Sequence, residues 1–323
     1  MGCIVSNFQN ILAQFEPLQK RKLESERRIS ELESEINSSS LFQNKLIAVY
    51  CAGSLGRHDF GVLSDLDLFV ITKESSLQGE IDSPFCQKLI EINNALGYPR
   101  LTERFLKVHL LSENLKAVGA PKDDTENFFT MRMLMLLESK PVANEEIYGS
   151  CLSEIVGHYY RDANDDRIFS PTFLVNDLLR YWRTLCLNYE QIRQNPDRPW
   201  RKKNINLKFS RMITVFSTVL PLIAMPIRCE GEFLPLTEKT PLERLAYGLD
   251  NLGDNGLSSD FQQFMEDYET FLGWKEDDGI DERMKGPSAE KEIAEMANRT
   301  SSFLYSALMH ENTSLDSRRV LVL

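Results

Sequence analysis

The chain has 323 residues, a net charge of −11, and apolar and charged contents of 42% and 26%. These proportions are typical of a globular protein and exclude a disordered or collagen-like chain, and the length favours two domains. The acidic excess also excludes a protein whose whole surface attracts nucleic acid, although it leaves room for a local basic site.

Cysteine usage and hydropathy indicate the compartment. The six cysteines are scattered, and no Cys-x-x-Cys pair is present. This pattern favours a reduced, cytoplasmic protein over a disulfide framework or a zinc site. No uninterrupted apolar run approaches the roughly 20 residues that cross a bilayer, so we expect no membrane span. The first six residues, Met-Gly-Cys-Ile-Val-Ser, fit a myristoylation pattern that is also short enough to arise by chance.

Residues 1–40 are predicted to form a helical extension. Residues 4–37 have an amphipathic pattern, and Pro17 suits the first turn of a second helix. That second helix is highly charged, so it either lies solvated against the following domain or forms a short coiled coil. A homodimer through this helix is therefore permitted but not required.

A motif of glycine, serine and aspartate follows. An apolar strand at about Leu46–Cys51 leads into Gly53 and Ser54, and Asp65 and Asp67 come at the start of a second apolar strand. Alternate residues of a strand share a face, so the two carboxylates project together. Such carboxylates repel each other unless a cation lies between them, and Mg²⁺ prefers carboxylate and phosphate oxygens. The alternative interpretation is an acidic edge strand without chemistry.

The next elements are a helix and a third strand. Ser83 and Pro84 are typical of a helix start, and Gly97 is typical of a helix end. A third strand is predicted at about Arg104–Leu111. From about Glu145 onward the sequence is mostly helical.

Two predicted helices of the C-terminal half carry rows of polar residues. Asn204, Lys208 and Arg211 recur at i, i+4 and i+7 and therefore share one helix face. Five basic residues and no acidic residue lie between Pro199 and Arg211, which reverses the overall charge locally. Either this row binds an anion or it is an ordinary solvated face. The same alternatives apply to a second row of equal spacing at Asn176, Arg180 and Arg183.

The order Gly-Ser-x-Gly-Arg at 53–57, followed by Ser-Asp-x-Asp at 64–67, resembles the polymerase-β-like nucleotidyltransferase superfamily. The likeness is closest to the PII-uridylyltransferase-like branch and its bacterial relatives, and it is specific over about Leu46–Thr72. It implies an α+β nucleotidyltransferase core, with a mixed β-sheet flanked by helices, at residues 41–145. An all-helical domain would follow at residues 146–323.

The resemblance also implies an activity. A metal-dependent transferase of this kind moves a nucleoside monophosphate from an NTP to an acceptor and releases pyrophosphate, using Mg²⁺ or Mn²⁺. Asp65 and Asp67 would be both the catalytic residues and the metal ligands. The residues expected to bind the nucleotide are Gly53, Ser54, Arg57, Ser64, Asn204, Lys208 and Arg211. Arg57 is either a phosphate clamp, because its planar fork suits oxyanions, or a structural residue paired with Asp59 or Asp65.

Active members of the superfamily often have a third carboxylate on the next strand. Here no acid lies within the predicted third strand. Glu103 and Glu113 flank the strand and are the candidates. His109 is either a counterpart of the histidine in a Gly-His-Ser-type segment of the uridylyltransferase branch or a packed residue. The departure from the superfamily pattern puts full catalytic competence in question.

The acceptor is left open by the sequence. A protein is narrowly preferred to RNA, because neutralising many phosphates requires an extended basic surface. Two other functions stay open: a catalytically inactive, nucleotide-binding regulatory module, and a toxin or defence nucleotidyltransferase that modifies tRNA.

Overall fold

The computed structural model describes residues 7–43, 45–163, 169–194 and 200–322. The myristoylation-like pattern at residues 1–6 lies outside them. The chain divides into two compact units. The sheet unit consists of Lys20–Asp162 and Cys229–Thr240, and the helical unit consists of Met1–Gln19, Ala163–Arg228 and Pro241–Leu323.

Four strands and a larger number of helices make up the described residues. The strands are β1 (Ile47–Ala52), β2 (Asp67–Thr72), β3 (Val108–Leu110) and β4 (Lys140–Ala143). The helices up to residue 160 are α1 (Asn7–Gln14), α2 (Glu16–Ser38), α3 (Gly53–Gly56), α4 (Pro84–Leu96), α5 (Leu111–Lys116), α6 (Pro121–Thr125), α7 (Phe128–Glu138) and α8 (Glu145–Tyr159). The later helices are α9 (Thr172–Arg193), α10 (Trp200–Asn206), α11 (Met212–Ala224), α12 (Glu230–Thr237), α13 (Pro241–Leu252), α14 (Ser258–Lys275), α15 (Ile280–Arg283), α16 (Pro287–Leu308) and α17 (Leu315–Arg319).

The four strands form one mixed sheet in the order β3-β2-β1-β4. Strand β1 is antiparallel to β2 and to β4, whereas β2 and β3 are parallel and are connected through α4. The α+β class predicted from the sequence is confirmed at this level. The third strand is shorter than predicted, because Glu103–Phe105 forms a 3₁₀ turn before β3 begins at Val108.

One face of the sheet packs against α2 and α4. All six residues of β1 are buried, as expected for a continuous apolar strand covered on both faces. The helix α4 has the predicted ends: the Ser83 hydroxyl accepts the Cys86 N–H, Pro84 opens the first turn, and Gly97 ends it at a φ of 69°. Leu32 and Ile36 of α2 are fully buried in the same core.

The opposite face of the sheet is aromatic. Tyr50 stacks on Phe69, its ladder partner, with ring centroids 5.1 Å apart, and Tyr148 of α8 lies 5.7 Å from Tyr50. Asp67 belongs to this face, because it lies two residues before Phe69 on the same strand. The aromatic rings therefore cover this face of the sheet as far as the end at which Asp67 lies.

His109 of β3 is buried in the aromatic face. It pairs with Ile71 across the ladder, its ring centroid lies 6.3 Å from that of Phe69, and its Nε2 lies 3.0 Å from the carbonyl oxygen of Phe105. Burial lowers the pKa of His109 to about 4, although the hydrogen bond to Phe105 acts in the opposite direction. His109 is therefore a neutral, packed side chain at neutral pH.

In the helical unit, α1 is attached through one carboxylate. Asp250 of α13 accepts the backbone N–H groups of Phe8 at 2.9 Å and Gln9 at 3.3 Å, and it also accepts the Gln9 side-chain amide at 2.9 Å. A carboxylate at the start of a helix satisfies N–H groups that have no partner within the helix and complements the helix dipole. Phe8 is 1% exposed and meets Phe261 edge to face at 5.5 Å.

The helices α10 and α11 continue into one another through a π-helical turn at Leu207–Arg211. The result is a helix of 25 residues, Trp200–Ala224, which within the described part of the chain is the one helix long and apolar enough to cross a membrane. Its most apolar window is 67% buried in the structure, as in the core helix of a folded domain. It is therefore no clear membrane span.

The low pKa of His109 predicts a pH dependence of stability. The histidine pKa in an unfolded chain is about 6.5, so between that value and about 4 the unfolded chain binds a proton that the folded protein does not. The free energy of unfolding should therefore fall as the pH drops through this window, by up to about 3 kcal/mol from this group. Urea denaturation of the protein and of His109→Gln at several pH values measures it. The variant should lose this part of the dependence, and an unchanged dependence would show that His109 is not responsible.

Candidate functional site

The Gly-Ser turn and the second aspartate meet at one end of the sheet. Ala52, the last residue of β1, pairs with Asp67, the first residue of β2. Gly53 has a φ of 67°, a left-handed conformation that favours glycine, and begins the short helix α3. A Cβ atom at Gly53 would lie 2.3 Å from Oδ2 of Asp67, so the carboxylate rests directly against the glycine. The turn thus needs glycine for its backbone and for this contact.

The two aspartates flank a buried leucine. Leu66 is fully buried and bridges to Leu101, whereas Asp65 is exposed and Asp67 is half-buried. This alternation directs both carboxylates away from the core. Strand β2 begins at Asp67, two residues later than predicted, so Asp65 precedes the ladder with β1.

The described residues do not provide a third ligand close to the pair. Within 7–43, 45–163, 169–194 and 200–322, no group of three or more His, Cys, Asp or Glu side chains is arranged to hold a metal ion. Glu113 accepts from the side-chain amide of Gln78 at 3.0 Å and lies 3.7 Å from the Lys122 ammonium. His109 is packed among aromatic rings, and Glu103 is exposed beside a cavity. Two carboxylates therefore form the acidic part of the site.

Arg57 is a buried residue that makes ion pairs within the sheet unit. Its guanidinium bonds Asp59 through two nitrogens, each at 3.1 Å, and donates to Glu138 at 2.6 Å. All three side chains are buried, at 5%, 6% and 0% exposure. A guanidinium that is buried between two carboxylates is not available to clamp a phosphate. Of the two alternatives for Arg57, the structural pair with Asp59 is the one observed, and the predicted contact with nucleotide gains no support.

The serines of the motif have different surroundings. The Ser64 hydroxyl accepts the N–H of Gly61 at 3.1 Å and closes a turn before the aspartates. The Ser54 carbonyl accepts the N–H of Asp59 at 2.9 Å, while its side chain is half-buried beside Gly53. A hydroxyl that accepts one hydrogen bond keeps its own proton to donate. Both serines remain predicted phosphate contacts.

In the helical unit, the three residues of the predicted basic row do not all lie along one line on the helix surface. Asn204, Lys208 and Arg211 are all half-buried on the Trp200–Ala224 helix. A π turn holds more residues per revolution than an α turn, so Arg211 lies off the line through Asn204 and Lys208. Burial lowers the pKa of Lys208. Single π turns occur often at functional sites, which keeps this row a predicted anion site.

The second polar row contains a local ion pair. Arg180 lies 3.5 Å from the Asp177 carboxylate, the pairing expected for an ordinary helix face. Asp177 is 5% exposed and Arg180 is half-buried. These contacts favour a structural role for Arg180 on α9.

Arg100 was not predicted, and the structure places it beside the aspartates. Leu66 donates its N–H to the Arg100 carbonyl at 2.7 Å, and Thr102 donates to the Leu66 carbonyl at 2.9 Å. The segment 100–102 therefore runs parallel to the residues around Leu66. Apart from a lone arginine before an apolar residue, the sequence contained no signal for this position, because the pairing joins segments about 35 residues apart.

No family model matches the chain, and no curated protein or solved structure is significantly similar to it. A functional interpretation therefore rests on the residues of the site. The features that carry it are the glycine turn, the paired aspartates and the groups around them.

Gly53→Ala should displace the Asp67 carboxylate without much additional loss of stability. Gly97→Ala is the matched control, because Gly97 has a similar φ of 69° but open space where a Cβ would lie. Both variants should lose about 1–2 kcal/mol of unfolding free energy from the left-handed backbone. Only Gly53→Ala should weaken binding of Mn²⁺, by about 10- to 100-fold, since a displaced carboxylate no longer matches its partner. Thermal denaturation and Mn²⁺ titration by electron paramagnetic resonance measure the two effects; equal Mn²⁺ affinities would contradict the contact.

Arg57→Met should destabilise the sheet unit. The change leaves Asp59 and Glu138 as buried carboxylates without their cation, which costs about 3–5 kcal/mol. The double variant Arg57→Met/Glu138→Gln should recover part of the lost unfolding free energy, because it removes one of the two buried carboxylate charges that no longer face a guanidinium. Urea denaturation measures all three proteins. Unchanged stability of Arg57→Met would mean that the three side chains do not hold the loop to α7.

Proposed function

We propose that the protein is a metal-dependent nucleotidyltransferase that moves a nucleoside monophosphate from an NTP to an acceptor and releases pyrophosphate. The observation that carries the proposal is the contact of Gly53 with Asp67, together with the exposed carboxylate of Asp65 two residues earlier. It supports the resemblance to the polymerase-β-like superfamily and to its uridylyltransferase-like branch, since it joins both halves of the motif in space.

The sheet unit supplies a frame that suits this proposal. Strands β1 and β2 are adjacent and antiparallel, so the turn that ends β1 lies next to the residue that begins β2. A Cβ atom at Gly56 would lie 2.0 Å from the carbonyl oxygen of Glu138, so the end of α7 packs closely on α3. The turn is therefore held from two sides, which favours a preorganised binding site.

The residues present suit a hard divalent ion, because carboxylate oxygens such as those of Asp65 and Asp67 are the ligands that Mg²⁺ and Mn²⁺ prefer. When bound, such an ion neutralises charge on the phosphates and supports an in-line displacement at phosphorus. Asp65 and Asp67 would hold the ion together with phosphate oxygens and water, since Mg²⁺ is usually bound by one or two carboxylates and the phosphates of the substrate.

In the proposed reaction, an acceptor oxygen or nitrogen forms a bond to the α-phosphorus. The bond between that phosphorus and the oxygen leading to the β-phosphate breaks, pyrophosphate leaves, and the acceptor loses one proton. The Gly53 backbone and the Ser54 and Ser64 hydroxyls are proposed to contact the phosphates. In the helical unit, Asn204, Lys208 and Arg211 are proposed to bind an anion. The acceptor is proposed to be a protein, in keeping with the net charge of −11.

A second function is favoured by the incomplete set of carboxylates. Because no third ligand is grouped with Asp65 and Asp67 among the described residues, the site can bind a metal–nucleotide complex without the group that would complete a two-metal centre. Such a protein would be a nucleotide-binding regulatory module that performs no transfer.

Transfer is tested with each of the four α-³²P-labelled NTPs, Mg²⁺ or Mn²⁺, and a cell extract that supplies acceptors. We expect a labelled protein band from the unaltered protein. Asp65→Asn and Asp67→Asn should lower labelling by about 100-fold or more, because each removes charge from the metal site. Asp82→Asn, at an exposed aspartate before α4, is the matched control and should label normally.

The other outcomes separate the two functions. Metal-dependent nucleotide binding in calorimetry, without any labelling, would reject the transferase and support the regulatory module. Labelling that survives both aspartate variants would place the chemistry elsewhere in the protein. A labelled RNA band would keep the reaction but change the acceptor.

A further inference from the structure

A cavity of about 340 Å³ lies in the sheet unit, between α4 and the segment that follows it. It is lined by Ile90, Asn93 and Asn94 of α4 and by residues 98–103. Helix α4 packs into the core that contains Leu66 and Leu68, whereas Asp67, which alternates with them, belongs to the opposite face of the sheet. The cavity therefore lies on the α4 side of the sheet and not on the face of Asp67. Its volume falls at the lower end of the range for small-molecule sites.

The wall of the cavity is fixed by the core beneath it. Leu101 forms a parallel bridge with Leu66, whose N–H donates to the Arg100 carbonyl at 2.7 Å. The Tyr98 ring meets Phe60 edge to face, with ring centroids 5.7 Å apart, and Tyr98 and Leu101 are both 7% exposed. The cavity is thus preformed, so a ligand that enters it does not have to order the chain first.

Two opposite charges line the cavity without neutralising each other. Arg100 and Glu103 are both exposed, and within the described part of the chain neither has an ion-pair partner, so they do not pair with one another. Lys88 and Glu91 of α4 show the usual alternative, a surface pair that closes at 3.0 Å. A cavity with one unpaired cation and one unpaired anion favours a ligand that carries both charges, because a ligand with a single charge is repelled by one of the two side chains.

A buried amide adds a third polar group to the lining. Asn93 is 5% exposed, and its side-chain oxygen has no hydrogen-bond partner among the residues that the structure describes. Its amide nitrogen donates to the Asn94 side chain at 3.4 Å, which is a long hydrogen bond. An unpartnered polar atom in the core costs free energy, and the last torsion of an asparagine side chain is soft. A ligand in the cavity can therefore gain a hydrogen bond by donating to this amide.

We propose that the cavity binds a small zwitterion of the α-amino acid class. Arg100 holds the carboxylate, Glu103 holds the ammonium group, and Asn93 accepts a hydrogen bond from a hydroxyl or amide group of the ligand's side chain. The planar guanidinium suits a carboxylate, to which it can donate two parallel hydrogen bonds. The two charged groups of an α-amino acid are close neighbours, which matches two side chains three positions apart in one short segment. The proposal uses none of the residues of the proposed nucleotide site, so either can fail without the other.

Calorimetric titration of the unaltered protein with each common L-α-amino acid in turn tests the proposal. We expect binding of at least one amino acid with a hydroxyl or amide side chain. The carboxamide and N-acetyl derivatives of that amino acid each lack one charge and should bind about 10- to 100-fold more weakly, the usual loss for one charge-assisted hydrogen bond. Failure of every amino acid to bind at millimolar concentration, or an unchanged affinity of either derivative, would overturn the zwitterion site.

Arg100→Gln and Glu103→Gln should each weaken binding of the amino acid by about 10- to 100-fold. Lys88→Gln and Glu91→Gln are the matched controls, because they remove the same charges from α4 outside the lining of the cavity, and they should bind normally. Asn93→Leu, a change of similar volume, should lower the affinity by about 3- to 10-fold, as for a neutral hydrogen bond. A charge variant with the affinity of its control would overturn the role of that charge, and an unchanged affinity of Asn93→Leu would overturn the role of the amide. Melting curves of all variants exclude loss of fold as the cause.

Discussion

The buried guanidinium of Arg57 is the interaction on which the site depends. It joins Asp59, in the loop after the glycine turn, to Glu138 at the end of α7, which lies 81 residues after Arg57. One cation between two carboxylates is stable in a core only when its geometry is well satisfied, since burial of unpaired charge is costly. The cluster therefore fixes the loop, and the loop in turn fixes Gly53 against Asp67.

Near the Arg57 ion pairs, the charged side chains fall into two groups: some are buried and paired within the fold, and others are exposed to solvent. Arg57, Asp59 and Glu138 are buried and mutually bonded, whereas Asp65 and Arg100 are exposed at the sheet edge. Buried pairs resist rearrangement, while exposed groups keep their capacity to bind a ligand. A site built in this way has a rigid base and a small set of exposed charges, which suits the proposed binding of a metal–nucleotide complex.

Part of this structure could be predicted from the sequence, because it depends on the conformational preferences of neighbouring residues. The caps of α4 depend on Ser83, Pro84 and Gly97, whose conformational preferences are their own, and all three act as expected. The burial of Leu66 between the more exposed Asp65 and Asp67 follows the alternation of an extended chain, which needs no knowledge of distant residues. The role of Arg57 did not follow, because one of its two partners lies in another part of the sequence. For His109 the sequence left two alternatives open, and its burial among aromatic rings identifies it as the packed residue.

The sequence by itself determined the strand–turn–strand motif and the helical character of the C-terminal half. These features arise from backbone preferences and side-chain periodicity over a few residues. Only the tertiary structure decided which charged side chains are buried in ion pairs and which are exposed and able to meet a ligand. Glu138 reaches Arg57, and the segment of Arg100 pairs beside Leu66, through contacts between distant segments. Such contacts depend on how the whole chain packs, and spacing along a sequence does not encode them.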